Sequence, residues 1–487
     1  MDQAKPSQAT SVSDSEFDIN GALDRFLDGI GLAATGTGGT IEFGGADPIY
    51  ESRHRIGACM AIPMMGAAVG AATVWEMRTG RGQDLSLDLR KAIHGVNPLY
   101  RFKPTINGYA YQMPYSQGNH MLFDLYLTKD GRWVLPTGAY PHMTTEWCAL
   151  LRCSHEKNSI ANAILKWDAL ELDDVAAENN MIFAVCRSED EWARHPQGEL
   201  LASRPLIEIE KIADSDPEPF GPADRPLSGL RVLSATHVIA GNVVSRTLAE
   251  QGADVLQIAR PQEFEHEALA VDTTAGHRST WLDLKSPEGN KRGHDLAAGA
   301  DVFVDSYRGR SLSNLGFSPQ ELAARRPGMI YCSIRCYGYD GPWVNRGGFD
   351  MEALCVSGFT FAEGTPDRPK FPPTFVMNDY IAGYMGAAGV TAALIRRAHE
   401  GGSYHVKICL TRNSMWYPTL GLFDRGNLEF RGEQHKLLAP DAITRQTPYG
   451  EVLRLAPTVQ FSETAGSWND PILTVRGSCK PEWLPAR

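Results

Sequence analysis

The stretch FVMNDYIAGYMGAAGVTAALIRRAHEGGSYHVKICLTR, from Phe375 to Arg412, decides the fold. It predicts a helix that starts near Asp379 and consists mainly of glycine and alanine, so that another backbone can approach closely. The helix stops at Gly401-Gly402, where a left-handed turn costs least. A carboxylate at a helix start is most often an N-cap that accepts the first free backbone N–H groups. Asp379 is therefore a cap or a chemical group, and the two roles are compatible.

An earlier segment echoes this stretch. Residues 58–91, ACMAIPMMGAAVGAATVWEMRTGRGQDLSLDLRK, align with residues 379–412 without gaps, at a constant offset of 321 residues. In both copies a helix of small residues runs into an alternating pattern, which predicts a strand. Ala58 takes the place of Asp379 in the first copy. The sequence thus predicts two related helix-strand units and a single chemical site.

Composition sets the class of protein. The chain has 487 residues, 43% of them hydrophobic and 22% charged, which predicts two or three domains. A net charge of −11 argues against a general nucleic-acid surface but permits a local basic pocket. Nine cysteines without a C-x-x-C pair predict reduced thiols in a cytoplasmic protein without a metal site. The charge-free run from Gly57 to Trp75 is long enough to span a membrane, but Pro63 and the many small residues favour a buried helix and no membrane partner.

The first 213 residues show no catalytic cluster. A polar arm runs to Glu16 and lacks the features of a signal peptide. The glycines from Gly36 to Gly45 lead into neither G-K-[ST] nor G-x-G-x-x-G, so a linker is favoured over a phosphate loop. The pattern from Asn119 to Pro136 predicts a hairpin with its turn at 129–131, and Pro141 to Ser188 predicts a small α+β domain.

The second half reads as α/β. After a linker rich in acidic residues and proline, from Asp214 to Pro226, strands alternate with helices. The predicted strands are residues 230–234, 253–258, 281–284, 301–304 and 329–334. Such alternation predicts a parallel, doubly wound sheet that binds ligands beyond the carboxyl ends of its strands. The first turn, from Ala235 to Asn242, lacks the dinucleotide glycine fingerprint, so an NAD enzyme is disfavoured.

Four cations follow the predicted strands. Their positions are Arg260, Lys285, Arg308 and Arg335. In an acidic protein this placement predicts an anion pocket at one sheet edge. Solvated surface charge is the alternative explanation.

Several segments together resemble the family III CoA-transferases, a group that includes formyl-CoA and carnitine CoA-transferases and α-methylacyl-CoA racemases. The segments are RPLSGLRVLSATHVIAGNVVSRTLAEQGADVLQIARP, HRSTWLDLKSPEGN, ADVFVDSYR, NLGFSPQELAARRPGMIYCSIRCYGYDGPW and GFDMEALCVSG. Their order and spacing cover residues 226–412 nearly continuously. The resemblance implies a Rossmann-like parallel-sheet α/β large domain with a smaller α+β domain, coenzyme A or acyl-CoA as substrate with no permanently bound cofactor, a carboxylic acid partner, and an interlocked homodimer.

The resemblance also implies roles for particular residues. Asp379 lies where the family has its nucleophilic aspartate, and Asp350 lies at the acidic position before it. The CoA site implied by family position comprises His237, Val238, Ile239, Ala240, Arg260, Leu282, Lys285, Ser306 and Tyr307. Covalent aspartyl intermediates would carry the transfer. The oxyanion donors would be backbone N–H groups at the start of the Asp379 helix or in glycine-rich turns.

The domain order differs from that of the family. The predicted order is an arm (1–45), the duplicated helix-strand element (46–110), the small domain (111–200), a linker (201–226), the CoA-binding catalytic domain (227–435) and a tail packed on the large domain (436–487). The arrangement indicates one domain of each kind in permuted order. The chain is therefore expected to hold one catalytic unit, complete by itself or completed by a second chain.

Two departures from the family pattern bear on the substrate. Ile239 stands where formyl-CoA transferases have a polar glutamine, and Phe349 stands where racemases have a histidine, which a phenyl ring cannot replace in acid–base work. Seven rings favour a medium or aromatic acid: Trp343, Phe349, Phe359, Phe361, Phe371, Phe375 and Trp416. Two alternatives remain, namely an acyl-CoA racemase or epimerase that uses Asp379 as a proton carrier, and a CoA-binding protein without turnover.

Overall fold

The computed structural model describes residues 17–111, 113, 116, 118–261, 264–426, 428 and 430–485. The polar arm expected at residues 1–16 lies outside this range. The strands are β1 (Ile41–Gly44), β2 (Leu85–Asp88), β3 (Thr105–Ile106), β4 (Tyr109–Ala110), β5 (Tyr126–Leu127), β6 (Trp133–Pro136), β7 (Phe183–Val185), β8 (Ile207–Ala213), β9 (Arg231–Ala235), β10 (Asp254–Ala259), β11 (His277–Trp281), β12 (Val302–Asp305), β13 (Ile330–Arg335), β14 (Ser403–Cys409), β15 (Ala442–Thr447), β16 (Gly450–Leu455) and β17 (Gln460–Phe461).

Sixteen α-helices accompany these strands in the described residues. They are α1 (Ile19–Asp28), α2 (Ile56–Thr79), α3 (Leu89–Ala92), α4 (Pro141–Leu151), α5 (Lys157–Ile164), α6 (Ala169–Glu178), α7 (Glu189–Ala193), α8 (Pro196–Ala202), α9 (Ala240–Glu250), α10 (Glu267–Thr273), α11 (Pro287–Ala298), α12 (Pro319–Arg325), α13 (Asp350–Val356), α14 (Phe359–Glu363), α15 (Asn378–Glu400) and α16 (Leu410–Trp416). Ser286 caps α11, and Ser318 caps α12 in a capping box with Glu321.

A seven-stranded sheet forms the large domain, in the order β11-β10-β9-β12-β13-β14-β8. Six of its strands are parallel, and only β8 runs antiparallel, beside β14. The predicted α/β class with a parallel, doubly wound sheet is confirmed. Strand β8 occupies part of the segment expected to be a linker (201–226), of which residues 203–206 and 214–226 lack helix and strand.

Strand β11 lies earlier than the sequence suggested. The strand was expected at residues 281–284, but β11 covers His277–Trp281 and pairs with β10 from Val255 to Ala259. Polar side chains are buried along it, including His277 and Thr280. Because polar residues fill the strand, the apolar pattern places it too late, in the segment that follows β11 at the sheet edge.

The small domain carries the predicted hairpin. Strands β5 and β6 pair antiparallel, and the Gly131 N–H donates to the Thr128 carbonyl across the turn at 3.0 Å. Strand β7 adds to β6. Helices α4, α5 and α6 cover this sheet around Trp147, whose side chain is fully buried.

The two echoed helices, α2 and α15, pack against each other inside the large domain. A side chain added at Gly70 would lie 2.0 Å from the Thr391 hydroxyl, so glycine permits the close approach. These two residues are equivalent under the 321-residue offset, so the helices cross at matching positions. Helix α2 is long and apolar enough to cross a bilayer, but 94% of its most apolar window is buried inside the protein. Internal packing explains its composition.

The C-terminal segment packs on two parts of the chain. Strands β15 and β16 join β3 and β4 in a four-stranded sheet, and β17 pairs with β2. The Trp483 indole N–H donates to the Leu296 carbonyl at 3.0 Å, on helix α11 of the large domain. The segment thus connects the echoed element at the front of the chain to the large sheet.

Candidate functional site

A cavity of about 530 Å³ opens where the small domain faces the carboxyl ends of the large sheet. The small domain contributes Tyr140 and the segment 179–182, and the sheet contributes the turn 237–240 after β9 and the segment after β12. Asp379 lies on its wall. The site therefore forms at the edge where a parallel sheet is expected to bind ligands.

A second cavity of about 400 Å³ adjoins the first. Arg260 and Lys285 lie on its wall together with Leu282, while Tyr307 and Ser311 line both cavities. The two form one track along the strand ends, with exposed cations at the end remote from Asp379.

A third, largely apolar cavity of about 280 Å³ lies on the other side of Asp379. It shares five wall residues with the first cavity: Tyr140, Val238, Ile239, Phe349 and Asp379. The Asp379 side chain, 8% exposed, therefore stands between a track with cations and an apolar space.

Three consecutive residues fix the start of α15 in three directions. Asn378 donates to the Leu410 carbonyl and accepts from the Tyr417 hydroxyl, both at 2.8 Å. The Tyr380 hydroxyl donates to Asp272 at 2.9 Å. With its neighbours held on either side, Asp379 faces the cavities. Gly383, where an added side chain would lie 2.4 Å from Val243, lets α15 pack closely on α9, the helix that follows the 237–240 turn.

The Asp350 carboxylate caps this helix from outside. One of its oxygens accepts the N–H groups of Met377 and Asp379 at 3.0 and 2.8 Å, and the other has no partner among the described residues. The expectation that Asp379 is itself the N-cap is wrong, because Met377 holds the cap position without a side-chain bond. Nor are these two N–H groups free to stabilise an oxyanion. Gly347-Gly348, which line the first cavity, remain as candidates for that role.

Helix α2, the first of the two echoed helices, has a similar cap but no side chain that could react. Asp47 accepts the N–H groups of Gly57 and Ala58 at 2.9 and 2.7 Å at the start of α2. Ala58 is the counterpart of Asp379, so each helix start is capped by an aspartate from an earlier segment, although Asp47 and Asp350 are not equivalent under the offset, and only one copy has a side chain to react. Asp350 accordingly holds the backbone that carries Asp379, and the catalytic role expected for it stays a prediction.

Burial and neighbouring acids set the charge state of Asp379. Burial raises the pKa of Asp379 well above its ordinary value, and the nearby carboxylates of Asp350 and Glu352 raise it further. Burial also raises the pKa of Asp350, although the backbone N–H bonds it accepts act in the opposite direction. Because Asp350 receives these bonds and Asp379 receives none from the described residues, the negative charge favours Asp350 and the proton favours Asp379.

The residues expected to bind CoA divide between the two connected cavities. His237, Val238, Ile239, Ala240 and Ser306 line the first, Arg260, Leu282 and Lys285 line the second, and Tyr307 lines both. Of the four strand-end cations, Arg335 is instead bound to Asp305 at 2.5 Å inside the domain, and this pairing raises its pKa. Arg335 also lines the first cavity, but its charge is balanced by Asp305.

The turn after β9 has an unusual backbone. Val238 has a φ of +58°, a left-handed conformation that a β-branched residue rarely adopts. Its carbonyl accepts from Asn242 and Thr273, both at 3.0 Å, which holds the strained turn in place. The neighbouring His237 ring nitrogen Nδ1 lies 3.0 Å from the Tyr140 hydroxyl, so the small domain and the turn meet over the site.

Two residues of the site region carry no local sequence signal. Tyr140 reaches the site from the small domain, and Glu352 accepts the N–H of the wall residue Phe349 at 2.8 Å. Of the seven rings expected near the substrate, Phe349 and Phe375 line these cavities. Among the described residues, no group of three or more His, Cys, Asp or Glu side chains is placed to hold a metal ion.

Comparison with known proteins agrees with the motifs. The sequence profile of CoA-transferase family III matches residues 227–440, which confirms the resemblance. The chain is 29% identical over 329 residues to acetyl-coenzyme A transferase nodX of Hypoxylon pulicicidum, covering 62% of this chain and 56% of that protein. It is 31% identical over 189 residues to succinyl-CoA:glutarate CoA-transferase of Homo sapiens, covering 36% and 43%. The chain spans about half the length of the curated relatives it matches.

Solved structures are also similar over part of the chain. The crystal structure of Rv3272 from Mycobacterium tuberculosis aligns with a TM-score of 0.38 and 28% identity, covering 40% of this chain and 57% of that one. The permuted domain order and the roles of individual residues stay predictions.

Asp379→Asn is expected to raise the free energy of unfolding at pH 8, with a gain that shrinks as the pH falls. The pKa of Asp379 is raised by folding, so the stability it contributes is complete below the unfolded pKa and is lost as the pH rises through the folded pKa. Asparagine mimics the neutral form at every pH. Each tenfold preference for the neutral form is worth about 1.4 kcal/mol. Urea unfolding at pH 5, 6.5 and 8 measures the difference.

The control for this measurement is Asp367→Asn, which alters an exposed carboxylate. It should leave the free energy of unfolding within about 0.5 kcal/mol of wild type at each pH. A gain for Asp379→Asn that is equal at all three pH values would contradict the charge assignment.

Proposed function

We propose that this chain, whose residues 227–440 form a family III CoA-transferase domain, moves CoA from an acyl-CoA to a carboxylic acid. The observation that carries the proposal is the position of Asp379, which stands at the inner end of a track whose outer end holds Arg260 and Lys285. The names of the similar proteins, acetyl-coenzyme A transferase and succinyl-CoA:glutarate CoA-transferase, support the same reaction class.

The reaction needs no redox partner and no water. The Asp379 carboxylate attacks the thioester carbon, the C–S bond breaks, and CoA departs as a thiolate, so that the acyl group and Asp379 form a mixed anhydride. The thiolate then attacks the aspartyl carbonyl, which releases the donor acid and leaves an aspartyl-CoA thioester. The acceptor carboxylate attacks that thioester and displaces the thiolate again. Attack of the thiolate on the acceptor carbonyl yields the new acyl-CoA and restores the Asp379 carboxylate.

Burial of Asp379 serves this chemistry in two ways. Water in the site would hydrolyse either the anhydride or the thioester, so a closed cavity preserves the energy of the thioester. The same burial favours the protonated acid, whereas the nucleophile is the carboxylate. The rate of adduct formation should therefore rise with pH through the raised pKa of Asp379.

The CoA moiety would lie along the track. Its phosphates carry several negative charges, and Arg260 and Lys285 can neutralise part of them. Helix α9 begins at Ala240, on the wall of the first cavity, with no side-chain cap, so its first N–H groups and its dipole favour an anionic oxygen there. The proposal also includes a cytoplasmic location, which the cysteine pattern favours, and a homodimer, which the resemblance to the family implies.

Intact-mass spectrometry of the protein mixed with a panel of acyl-CoAs tests the covalent step. Wild type is expected to gain the mass of an acyl or CoA adduct on Asp379, to lose it with hydroxylamine, and to form it faster at pH 8 than at pH 6. Asp379→Ala should show no adduct and at least a roughly 10³-fold lower transfer rate, because no other group replaces the nucleophile. Asp350→Asn is the companion variant and should still form the adduct, since an amide oxygen can keep the helix cap.

An adduct on Asp379→Ala would place the chemistry elsewhere. Deuterium incorporation at the α-carbon of an acyl-CoA in heavy water, without an adduct, would favour a racemase. Binding of CoA with neither result would indicate a protein without turnover.

Replacing both Arg260 and Lys285 by alanine is expected to raise the KM for acyl-CoA by about 10–100-fold while kcat changes less than about threefold. These cations contact charges that are already present in the ground state and lie far from the reacting carbonyl. An acyl-pantetheine thioester, which lacks the nucleotide, should be used equally well by wild type and by the double variant.

Lys291→Ala is the matched control for these steady-state kinetics. Its side chain is 79% exposed on helix α11, and it does not line either cavity. An equal loss of kcat with the nucleotide-bearing and truncated thioesters would refute the placement of the phosphates.

A further inference from the structure

We infer that the apolar cavity beside Asp379 binds the acyl group, and that the acid handled by this chain has an uncharged aromatic or medium-length aliphatic body. The inference rests on the proposed function and names its substrate class. Asp379 and Phe349 line both this cavity and the CoA track. When the thioester carbon lies beside the Asp379 carboxylate, the acyl group can therefore extend only into one of these two spaces.

The wall of the apolar cavity is built from distant segments. Leu99, Tyr100, Leu122 and Phe123 come from the first half of the chain, and Phe375 comes from the loop before α15. The Phe375 ring lies 5.4 Å from that of Phe123 and 6.3 Å from that of Tyr100, in tilted and edge-on arrangements typical of aromatic packing. Three rings thus surround one end of the cavity.

Phe375 is not explained by the fold alone. Its side chain is 49% exposed, and its φ is +62°, a left-handed conformation that is unusual for a bulky residue. The Asn97 side chain donates to the Thr374 carbonyl at 2.8 Å and holds the loop in this shape. An exposed ring kept in a strained conformation at the mouth of an apolar cavity points to contact with a ligand.

The charges around the two spaces are segregated. The track holds Arg260, Lys285 and Arg308, whereas none of the described residues lining the apolar cavity is lysine or arginine. Its ionisable groups are Asp350, Asp379, His266 and the tyrosines Tyr100 and Tyr140, and burial lowers the pKa of the histidine. Arg101 lies over the Tyr100 ring, 5.0 Å from its centroid, but does not line the cavity. The far carboxylate of a dicarboxylic acid would meet no cation on the cavity wall and would lie near two acids, which disfavours it.

The volume limits the size of the acyl body. A cavity of about 150 Å³ lined by apolar side chains holds one benzene molecule. The space beside Asp379 is about 280 Å³. It therefore fits an arylalkanoic acid or a straight chain of about six to ten carbons.

Label exchange between an acyl-CoA and its own free acid tests the assignment. Donor and acceptor are then the same acid, so only one acid has to fit the cavity. Wild-type protein is given phenylacetyl-CoA with ¹³C-phenylacetate, octanoyl-CoA with ¹³C-octanoate, and succinyl-CoA with ¹³C-succinate, and the label in each acyl-CoA is followed by mass spectrometry. The aryl or octanoyl pair is expected to exchange with at least about tenfold higher kcat/KM than the succinyl pair.

One alanine variant and its matched control test where the acyl group binds. Phe123→Ala widens the cavity and should lower exchange of the phenylacetyl pair about tenfold while it raises that of a dodecanoyl pair. Phe371→Ala is the matched control, because its ring lies 6.3 Å from that of Phe123 in the same aromatic cluster but does not line the cavity. It should leave the order of the pairs unchanged. Phe123→Leu provides a milder version if the alanine variant does not fold.

The two ways of failing can be told apart. Faster exchange of the succinyl pair, or an equal effect of Phe123→Ala on every pair, would overturn the substrate class and leave the transferase intact. Absence of exchange with every pair, together with absence of an adduct on Asp379, would overturn the proposed function and this inference with it.

Discussion

The site depends on one capped helix start. The buried Asp350 carboxylate, 1% exposed, accepts the N–H groups of Met377 and Asp379 and thereby fixes the first turn of α15. Without this acceptor two buried donors would lack partners, which costs about 1–3 kcal/mol each. Asn378 and Tyr380 anchor the same turn on either side. The orientation of Asp379 follows from these bonds.

The duplication separates structure from chemistry. Helix α2 keeps the cap, through Asp47, and the close helix crossing, through Gly70, but has Ala58 at the position of Asp379. The two copies therefore share a cap by an aspartate and the close packing of a helix of small residues. The single carboxylate that differs is the one that faces the cavities.

Much of the fold was predictable because its signals are local. Periodicity placed α15 and most strands of the large sheet, and the small-residue pattern identified the buried helix pair. Strand β11 was misplaced because buried polar residues such as His277 hide its burial from a pattern of apolar residues. The cap by Asp350 and the contact of Tyr140 with His237 join residues far apart in sequence, so no local signal marks them. The apolar cavity is likewise formed by segments that meet only after folding.

The most direct measurement is a crystal structure of the protein soaked with phenylacetyl-CoA. The account predicts electron density joined covalently to the Asp379 carboxylate, the nucleotide beside Arg260 and Lys285, and the phenyl ring between Phe123 and Phe375. An unmodified Asp379, with the phenyl ring bound outside the apolar cavity, would contradict it.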